Sequence, residues 1–514
     1  MKFLLGFIFS FLSLQTIVGQ QNYLPLHSYY RDQILVTNRA ESYAGDCMFP
    51  ITEEEYNVYK YFKDSTVYYY NLPEVIFKKH IIEIKDTDVF IKISPVFNFN
   101  FGKDAINSFN RNLFQNSKGL LVEGDLGKNF SFYTTLYENQ ARFSTFESNY
   151  IDSRGECYFH NGYYIRYGGI VPGGGRTKIF KKDGYDYAFA VGYINWKPVK
   201  NLNISVGNNQ HFLGAGYRSM LLSDNSYSSP NIRLDYKLSK KFSFHIVKSR
   251  LLNAVRKKRT NTVEAYFQPK GLSVNYISYQ PNDKISISFF EGSIWSKGDS
   301  IYTTHYSPLF YNPIPFLGLL AKENQRYFVH GLNFSMLLNK NGRVYSQFAI
   351  GNLKSNSIAG QIGYRGCQKV FKSNLLYQIE YNFASKNMYD APNDINSFSQ
   401  YNLPLAHPGG NGFHELILRS SYEIKRYYFD FKFISYYFTK RQNDFLLPIE
   451  IDSNYTNGIQ INPNLEVGYR INKKINATVF LNINYRMLYI NPTQSNLIFQ
   501  IGLKTSLIDH YNDY

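Results

Sequence analysis

Long apolar runs are what this 514-residue chain lacks. Beyond its N-terminus, no segment reaches about eighteen consecutive apolar residues, which excludes a bundle of membrane-spanning helices. Cysteine is scarce. Cys47, Cys157 and Cys367 permit at most one bridge and leave a spare thiol, and their separation excludes a short-spaced zinc motif. Signatures of catalysis are missing as well. There is no Gly-x-Ser-x-Gly elbow, no His-Glu-x-x-His and no Gly-Lys-Ser/Thr phosphate cradle. Neither a cofactor nor a metal is expected, and the chain reads as a non-enzyme. Mean hydropathy is −0.35, which by itself describes a water-soluble protein. A transmembrane barrel escapes that test, because only every second residue of a strand meets lipid.

What is abundant is aromatic: 47 Tyr and 42 Phe. Both favour strands, and Tyr suits a membrane–water boundary because its ring is apolar and its hydroxyl polar. The formal charge of +17 admits nucleic acid, anionic lipid or acidic saccharide as partners. Nucleic acid is set aside by the N-terminus. Lys2 precedes the apolar stretch Phe3 to Leu12, and Thr16-Ile17-Val18-Gly19-Gln20 follows, as in a secretory signal cleaved near Gly19. No Cys sits just after that point, so no lipid anchor is expected there.

The stretch Ile475 to Met487 sets the pattern for the chain. Ile475, Ala477, Val479, Leu481, Ile483, Tyr485 and Met487 share one face. Asn476, Thr478, Asn482, Asn484 and Arg486 share the other, with Phe480 among them. Such alternation predicts a strand with one apolar and one polar side, long enough to cross a bilayer at a tilt. Similar runs recur at 89–101, 117–125, 129–139, 185–196, 202–211, 230–237, 241–251, 268–279, 284–293, 326–337, 342–352, 356–364, 373–383, 412–423, 427–438, 463–471, 475–487 and 496–507. That makes about eighteen, an even number as closed bacterial barrels require.

Every second connection is short and polar, as at Asp125 to Lys128, Lys197 to Lys200, Leu238 to Lys240, Pro281 to Asp283, Asn339 to Asn341, Ile424 to Arg426 and Asn472 to Lys474. The intervening ones are mostly long, which is the barrel pattern of periplasmic turns and outer loops. A short connection near Lys354-Ser355 and a longer one around Gly366-Cys367-Gln368 break the rhythm. The reading is therefore all-β: an antiparallel transmembrane β-barrel of about 18 strands in the bacterial outer membrane, with a small N-terminal periplasmic segment and plug-like loops. Its divisions are 1–19 signal peptide, 20–88 periplasmic segment, with a short helix from the Thr52/Glu55 capping box through Tyr61, and 89–508 barrel. Cys47 and Cys367 fall on the short-turn side and Cys157 on the long-loop side. Any bridge is expected between Cys47 and Cys367.

Three loops look built. In Gly207 to Pro230, Gly214 and Gly216 allow positive φ or close backbone approach, Arg218 can pair with Asp224, and Met220-Leu221-Leu222 form an apolar plug. This loop reads either as a plug folded into the lumen or as a ligand surface, with Tyr217 stacking and Arg218, Ser223, Asp224 and Asn225 hydrogen bonding. Ile170 to Lys178 combines the sharp turning of Pro172 and its glycines with the cations Arg176 and Lys178. Tyr401 to Gly410 holds a bend made rigid by Pro404 and Pro408 around His407. A hydrolase built from Ser219, His211 and Asp224 is the remaining enzymatic reading.

The Phe-x-Gly-x-Gly-Tyr-Arg-Ser-x-Leu-Leu-Ser-Asp-Asn stretch from Phe212 resembles the signature of the capsule-assembly outer-membrane barrels, the Wzi family. It resembles more closely their relatives of the RemB type, linked to gliding motility in Bacteroidetes. The Val-Pro-Gly-Gly-Gly-Arg-x-Lys run, Asp186-Tyr187-Ala188, Phe132-Tyr133 through Asn139-Gln140 and Pro404-Leu405-Ala406-His407-Pro408 carry the same resemblance, over roughly residues 80–510. The chain departs from the capsule-assembly pattern at Phe212 and Tyr217, where that family tends to carry Trp, and at Ser228-Ser229 before Pro230. The resemblance implies an eighteen-stranded barrel, a plugged lumen and a role in attaching or organising surface polysaccharide. The expected partners are outer-membrane lipid, surface polysaccharide and gliding or surface-assembly machinery. Cationic loop residues (Arg176, Lys178, Arg218, and Arg256 to Arg259) would meet acidic sugars. A porin-like diffusion channel is the alternative.

Overall fold

A computed structural model describes residues 22–37, 46–52, 80–106, 112–160, 163–256, 267–296, 308–314, 317, 326–339, 341–351, 357–371, 373–391, 394–438, 457–489, 492–507 and 511–513. The eighteen expected strands are all there, one for one, and they close into a single barrel. In chain order they are β1 (Val89–Asp104), β2 (Asn112–Leu126), β3 (Phe130–Arg142), β4 (Gly184–Val199), β5 (Leu202–Asn209) and β6 (Ser229–Lys237). Then follow β7 (Phe242–Arg256), β8 (Phe267–Asn282), β9 (Ile285–Ser296), β10 (Arg326–Asn339), β11 (Gly342–Ile350) and β12 (Ile358–Val370). The last six are β13 (Ser373–Ala384), β14 (Phe413–Ile424), β15 (Tyr427–Phe438), β16 (Gly458–Asn472), β17 (Ala477–Tyr489) and β18 (Gln494–Thr505). Each pairs antiparallel with its neighbour in sequence. The ring closes where β18 pairs with β1, from Ile498↔Asp104 to Lys504↔Asn98. Closure leaves no edge strand, which is what lets a sheet sit in hydrocarbon with every backbone polar group satisfied.

The apolar faces point outward. On β17, Val479, Leu481 and Ile483 are exposed, Leu481 by 57%, whereas Asn482, Asn484, Arg486 and Phe480 are buried in the lumen. Phe429, Phe431 and Tyr437 of β15, Ile287 of β9 and Phe499 and Ile501 of β18 do the same. Leu136, Ile194, Ile232, Leu332 and Ile362 continue the band on other staves. Near the short turns, outward rings pair across neighbouring staves: Phe130 with Trp196 (6.1 Å between centroids), Phe242 with Tyr279 (4.7 Å) and Tyr427 with Tyr469 (5.1 Å). This is the aromatic belt of a bilayer interface. Apolar band, belt and closure define an outer-membrane barrel.

Several strand ends are corrected: β2 begins five residues earlier than its pattern, at Asn112, and β7 ends five later, at Arg256. β12 runs through Gly366, Cys367 and Gln368 to Val370, and the turn comes at Phe371, whose φ is +52°. The ladder holds Cys367 opposite Leu376, so the register leaves no place for a connection there. β16 begins five residues earlier than its sequence pattern, at Gly458, because its pairing with β15 continues to Gly458↔Phe438. The turn after it extends to Asn476, at φ +46°, so β17 begins at Ala477.

The described residues 22–37 and 46–52 pack against the inner wall of the barrel. The helix α1 (Ser28–Thr37) lies across the short-turn mouth. Its Asp32 bridges Arg365 (3.2 Å) and Arg419 (3.1 Å), and the Tyr30 hydroxyl donates to the Lys474 carbonyl (2.9 Å). Further on, Met48–Phe49 forms a two-residue strand against Phe212–Leu213 inside the lumen. Ile82–Lys85 adds a short strand to β1 from outside the ring order. The expected signal peptide, the helix through Tyr61 and the connection at Lys354-Ser355 lie outside the described residues.

Candidate functional site

The loop between β5 and β6 fills the barrel. His211 to Ser226 are buried without exception, and Arg218 is 0% exposed. A buried irregular segment must find a partner for each backbone group, since water cannot supply one. Here stave side chains and neighbouring loops do so. Glu380 of β13 accepts from the N–H groups of Tyr217 (2.8 Å) and Arg218 (3.1 Å). Gln347 of β11 accepts from the Met220 N–H (2.8 Å) and donates to the Leu213 carbonyl (2.9 Å). Gln361 of β12 donates to the Arg218 carbonyl (2.9 Å). The Cys47 carbonyl takes the Gly214 N–H (2.9 Å) and the Leu405 carbonyl the Ser223 N–H (2.7 Å). Gly214 sits at φ +120°, and a Cβ there would come within 2.3 Å of Gln347 Nε2. Gly216 is equally enclosed, by Gln361 and the Arg218 carbonyl.

Met220, Leu221 and Leu222 pack against Val247, Val274, Tyr276, Phe290 and Tyr389 in the largest apolar cluster among the described residues. Burying each contributes roughly 1.5–3 kcal/mol. Gly331 of β10 makes the room: a Cβ there would meet Leu221 Cδ2 at 2.2 Å.

The ionic post of the plug is Arg218. The expected pairing with Asp224 is not the one formed. Arg218 instead donates to Asp513 Oδ1 (2.7 Å), Glu415 Oε1 (3.4 Å) and the Tyr436 hydroxyl (3.3 Å). Asp513 belongs to a tail that re-enters the lumen after β18. Burial raises its carboxyl, but Arg218 and Lys432 outweigh that and hold it far below the ordinary range. Tyr217 donates to Asp513 Oδ2 (2.7 Å), and burial pushes its phenol up to about 12. Asp224 accepts from the Tyr511 hydroxyl (2.6 Å). Tail and plug are thus held at two points.

The loop between β13 and β14 braces the plug from the side. Ser223 donates to the Ala406 carbonyl, and Asn225 to the Pro404 carbonyl (3.2 Å). His407 Nε2 lies 2.6 Å from Glu415 Oε2, and burial, the larger effect, lowers the pKa of that imidazole. Pro408 offers its carbonyl to Tyr150 (3.5 Å). The third built loop sits against the plug too. Gly173 donates its N–H to the Asn225 carbonyl (2.9 Å), beside the buried Pro172. Arg176 bridges Glu156 (2.6 Å) while part-exposed, and Lys178 is exposed. Of the cations expected to meet sugars, Arg218 is therefore enclosed, Arg176 is half-buried against Glu156 and Phe267, and Lys178 faces outward. The side chain of Arg256 and residues 257–259 lie outside the described residues.

Ser219, His211 and Asp224 do not assemble as a hydrolytic set. The Ser219 hydroxyl donates to the Leu213 carbonyl (2.5 Å), His211 Nε2 faces Asn231 (3.4 Å) and Asp224 serves Tyr511. Burial, reinforced by Arg233, drops His211 to about 3, so it stays neutral. Among the described residues no group of three or more His, Cys, Asp or Glu could hold a metal. All three cysteines are buried free thiols, so Cys47 and Cys367, the pair expected if any bridge formed, are not bridged. Burial raises Cys47 to about 11.

A cavity of about 410 Å³ opens at the short-turn mouth between α1 and β12–β18. Its charges are mostly paired within the wall, Arg419 with Asp32, Lys504 with Glu466 (2.8 Å), and Arg470 and Lys473 with Glu423. Sequence reasoning missed Glu380, Glu415, Gln347, Gln361 and Asp513. A carboxylate on the inner face of a stave, as in the alternating Gln378, Glu380 and Asn382, was the available signal, because a buried charge demands a counter-ion. Nothing marked Asp513.

These features define the class: an outer-membrane β-barrel of eighteen strands whose lumen holds its own loop, with residues 46–52 and 511–513 packed against it. No family model matches the chain, and no curated protein does. Among solved structures it is similar to Wzi of Escherichia coli, an outer-membrane protein involved in group 1 capsule assembly and a carbohydrate-binding β-barrel. That likeness has a TM-score of 0.58 at 12% identity and covers 95% of this chain and 99% of Wzi. OccAB4 of Acinetobacter baumannii aligns with a TM-score of 0.44 at 9% identity, covering 82% of this chain and 98% of that one. OprD of Pseudomonas aeruginosa also gives 0.44 at 9% identity, over 80% and 94%. The first likeness shows a shared fold.

Proposed function

We propose that this chain is a non-enzymatic barrel that binds or anchors surface polysaccharide at its outer loops, within capsule assembly or gliding machinery. The observation that carries this reading is the plug. A lumen occupied from His211 to Ser226 by residues that are all buried serves a surface role better than diffusion. The carbohydrate binding of Wzi supports the same direction. The gliding role rests on the sequence resemblance to RemB-type chains of Bacteroidetes.

On this reading Arg176 and Lys178 meet acidic sugars, and the exposed ring of Tyr167 offers a stacking face. Tyr217, Arg218, Ser223, Asp224 and Asn225 act beneath them, holding the plug that supports the loops, as do Gly214, Gly216, Pro172, Pro404, His407 and Pro408. The test combines two measurements on the purified barrel. Planar-bilayer recordings are expected to stay closed, and immobilised acidic capsular polysaccharide is expected to retain the protein, less so after Arg176→Gln with Lys178→Gln. Large steady openings without retention refute the reading and favour the porin. A deletion strain with normal capsule and normal spreading counts equally against it.

A further inference from the structure

The short turns carry cations far in excess of anions. Lys200, Lys240, Lys241, Lys284, Lys369 and Lys425 are exposed at that rim, Lys369 and Lys425 at the edge of the mouth cavity, and among the described residues their ammonium groups have no carboxylate partner. The exposed carboxylates there are Asp86, Asp88 and Asp283. Directly beside the lysines lie the outward rings of Phe130, Trp196, Phe242, Tyr279 and Tyr427.

A cationic ring at the mouth of an open channel steers permeant ions. This lumen is filled, so the charge has no permeant to steer. Short turns face the periplasm. The lysines therefore stand at the headgroup level of the inner leaflet, with the aromatic belt at the level of the glycerol and upper acyl chains. One kind of ligand satisfies both layers at once, an amphiphile with an anionic head.

We propose that the short-turn rim is a binding ring for anionic glycerophospholipid, of the phosphatidylglycerol class, drawn from the periplasmic leaflet. The lysines take the phosphodiester, and the belt takes the chains. Peptidoglycan is anionic as well but offers nothing to the belt.

The test is native mass spectrometry of the detergent-solubilised full chain exposed to equimolar phosphatidylglycerol and phosphatidylethanolamine. Retention is expected to favour phosphatidylglycerol by about fivefold or more for each lipid held by one ammonium group. The preference is expected to shrink as the salt of the loading buffer is raised, because exposed charges are screened. It is expected to vanish when all six lysines are changed to Gln, with heat-modifiable migration on gels reporting that the barrel remains closed. Equal retention of the two lipids refutes the proposal. So does an unchanged preference in the folded sixfold variant, or sedimentation with peptidoglycan sacculi without lipid preference. If the variant does not fold, the salt series on the wild type decides. None of these outcomes depends on polysaccharide binding.

Discussion

Replacing Arg218 with Ala unseats the plug without opening the wall. The guanidinium is 0% exposed and lies between Asp513, Glu415 and Tyr436. Its loss leaves the Asp513 carboxylate with Lys432 as its remaining cation, and Glu415 with neutral His407. Removing one partner of a buried pair costs about 3–5 kcal/mol, because the other charge stays behind uncompensated. If that loss falls on the seated plug alone, the unseated fraction rises by roughly two to nearly four powers of ten. The backbone contacts through Glu380, Gln347 and Gln361 remain, so opening is expected as transient steps in a planar bilayer rather than as one steady pore. Heat-modifiable migration is expected to persist, since the eighteen-stave ladder involves no Arg218 atom. Arg218→Lys keeps a charge but loses the planar fork that reaches both carboxylates, and an intermediate frequency of openings is expected. A silent Arg218→Ala barrel with wild-type protease resistance in the tail would show that the ionic post is not what seats the plug.

Three further outcomes follow from the same geometry. Leu481→Arg, on the lipid face, is expected to lower barrel stability in refolding titrations by about 2–4 kcal/mol, whereas the lumen-facing Asn482→Ala has no comparable desolvated charge to bury. Burial raises the Asp46 carboxyl, but His245 at 2.7 Å outweighs it and brings it down to about 2. A depressed acid stabilises fully above its ordinary range, near 3.8, and loses that contribution as pH falls toward 2. Between those values the N-terminal segment is expected to become protease-sensitive, and Asp46→Asn should flatten the profile. The three thiols are expected to resist a maleimide probe until the chain is denatured, then to react together, with no mass change on prior reduction.

The alternation of Val479, Leu481 and Ile483 with Asn482, Asn484 and Arg486 was enough to set strand and outward face, and the loop asymmetry was enough to indicate a barrel. Both are local signals of period two, and a closed sheet repeats them on every stave. The built character of Gly214, Pro404 and the Met220-Leu221-Leu222 run was also legible, because glycine, proline and an apolar triplet are unusual within one polar loop. Which partners those residues take was not. Arg218 reaches Asp513, 295 positions away, and Glu380 reaches Tyr217 across 163. Asp224, six residues along, was the nearer candidate and is occupied by Tyr511. Pairings inside the lumen are decided by closure, which brings distant staves to face one axis, and by the packing there of residues 46–52 and 511–513. A two-residue rhythm says which way a side chain points. Only the closed cylinder says what it meets there.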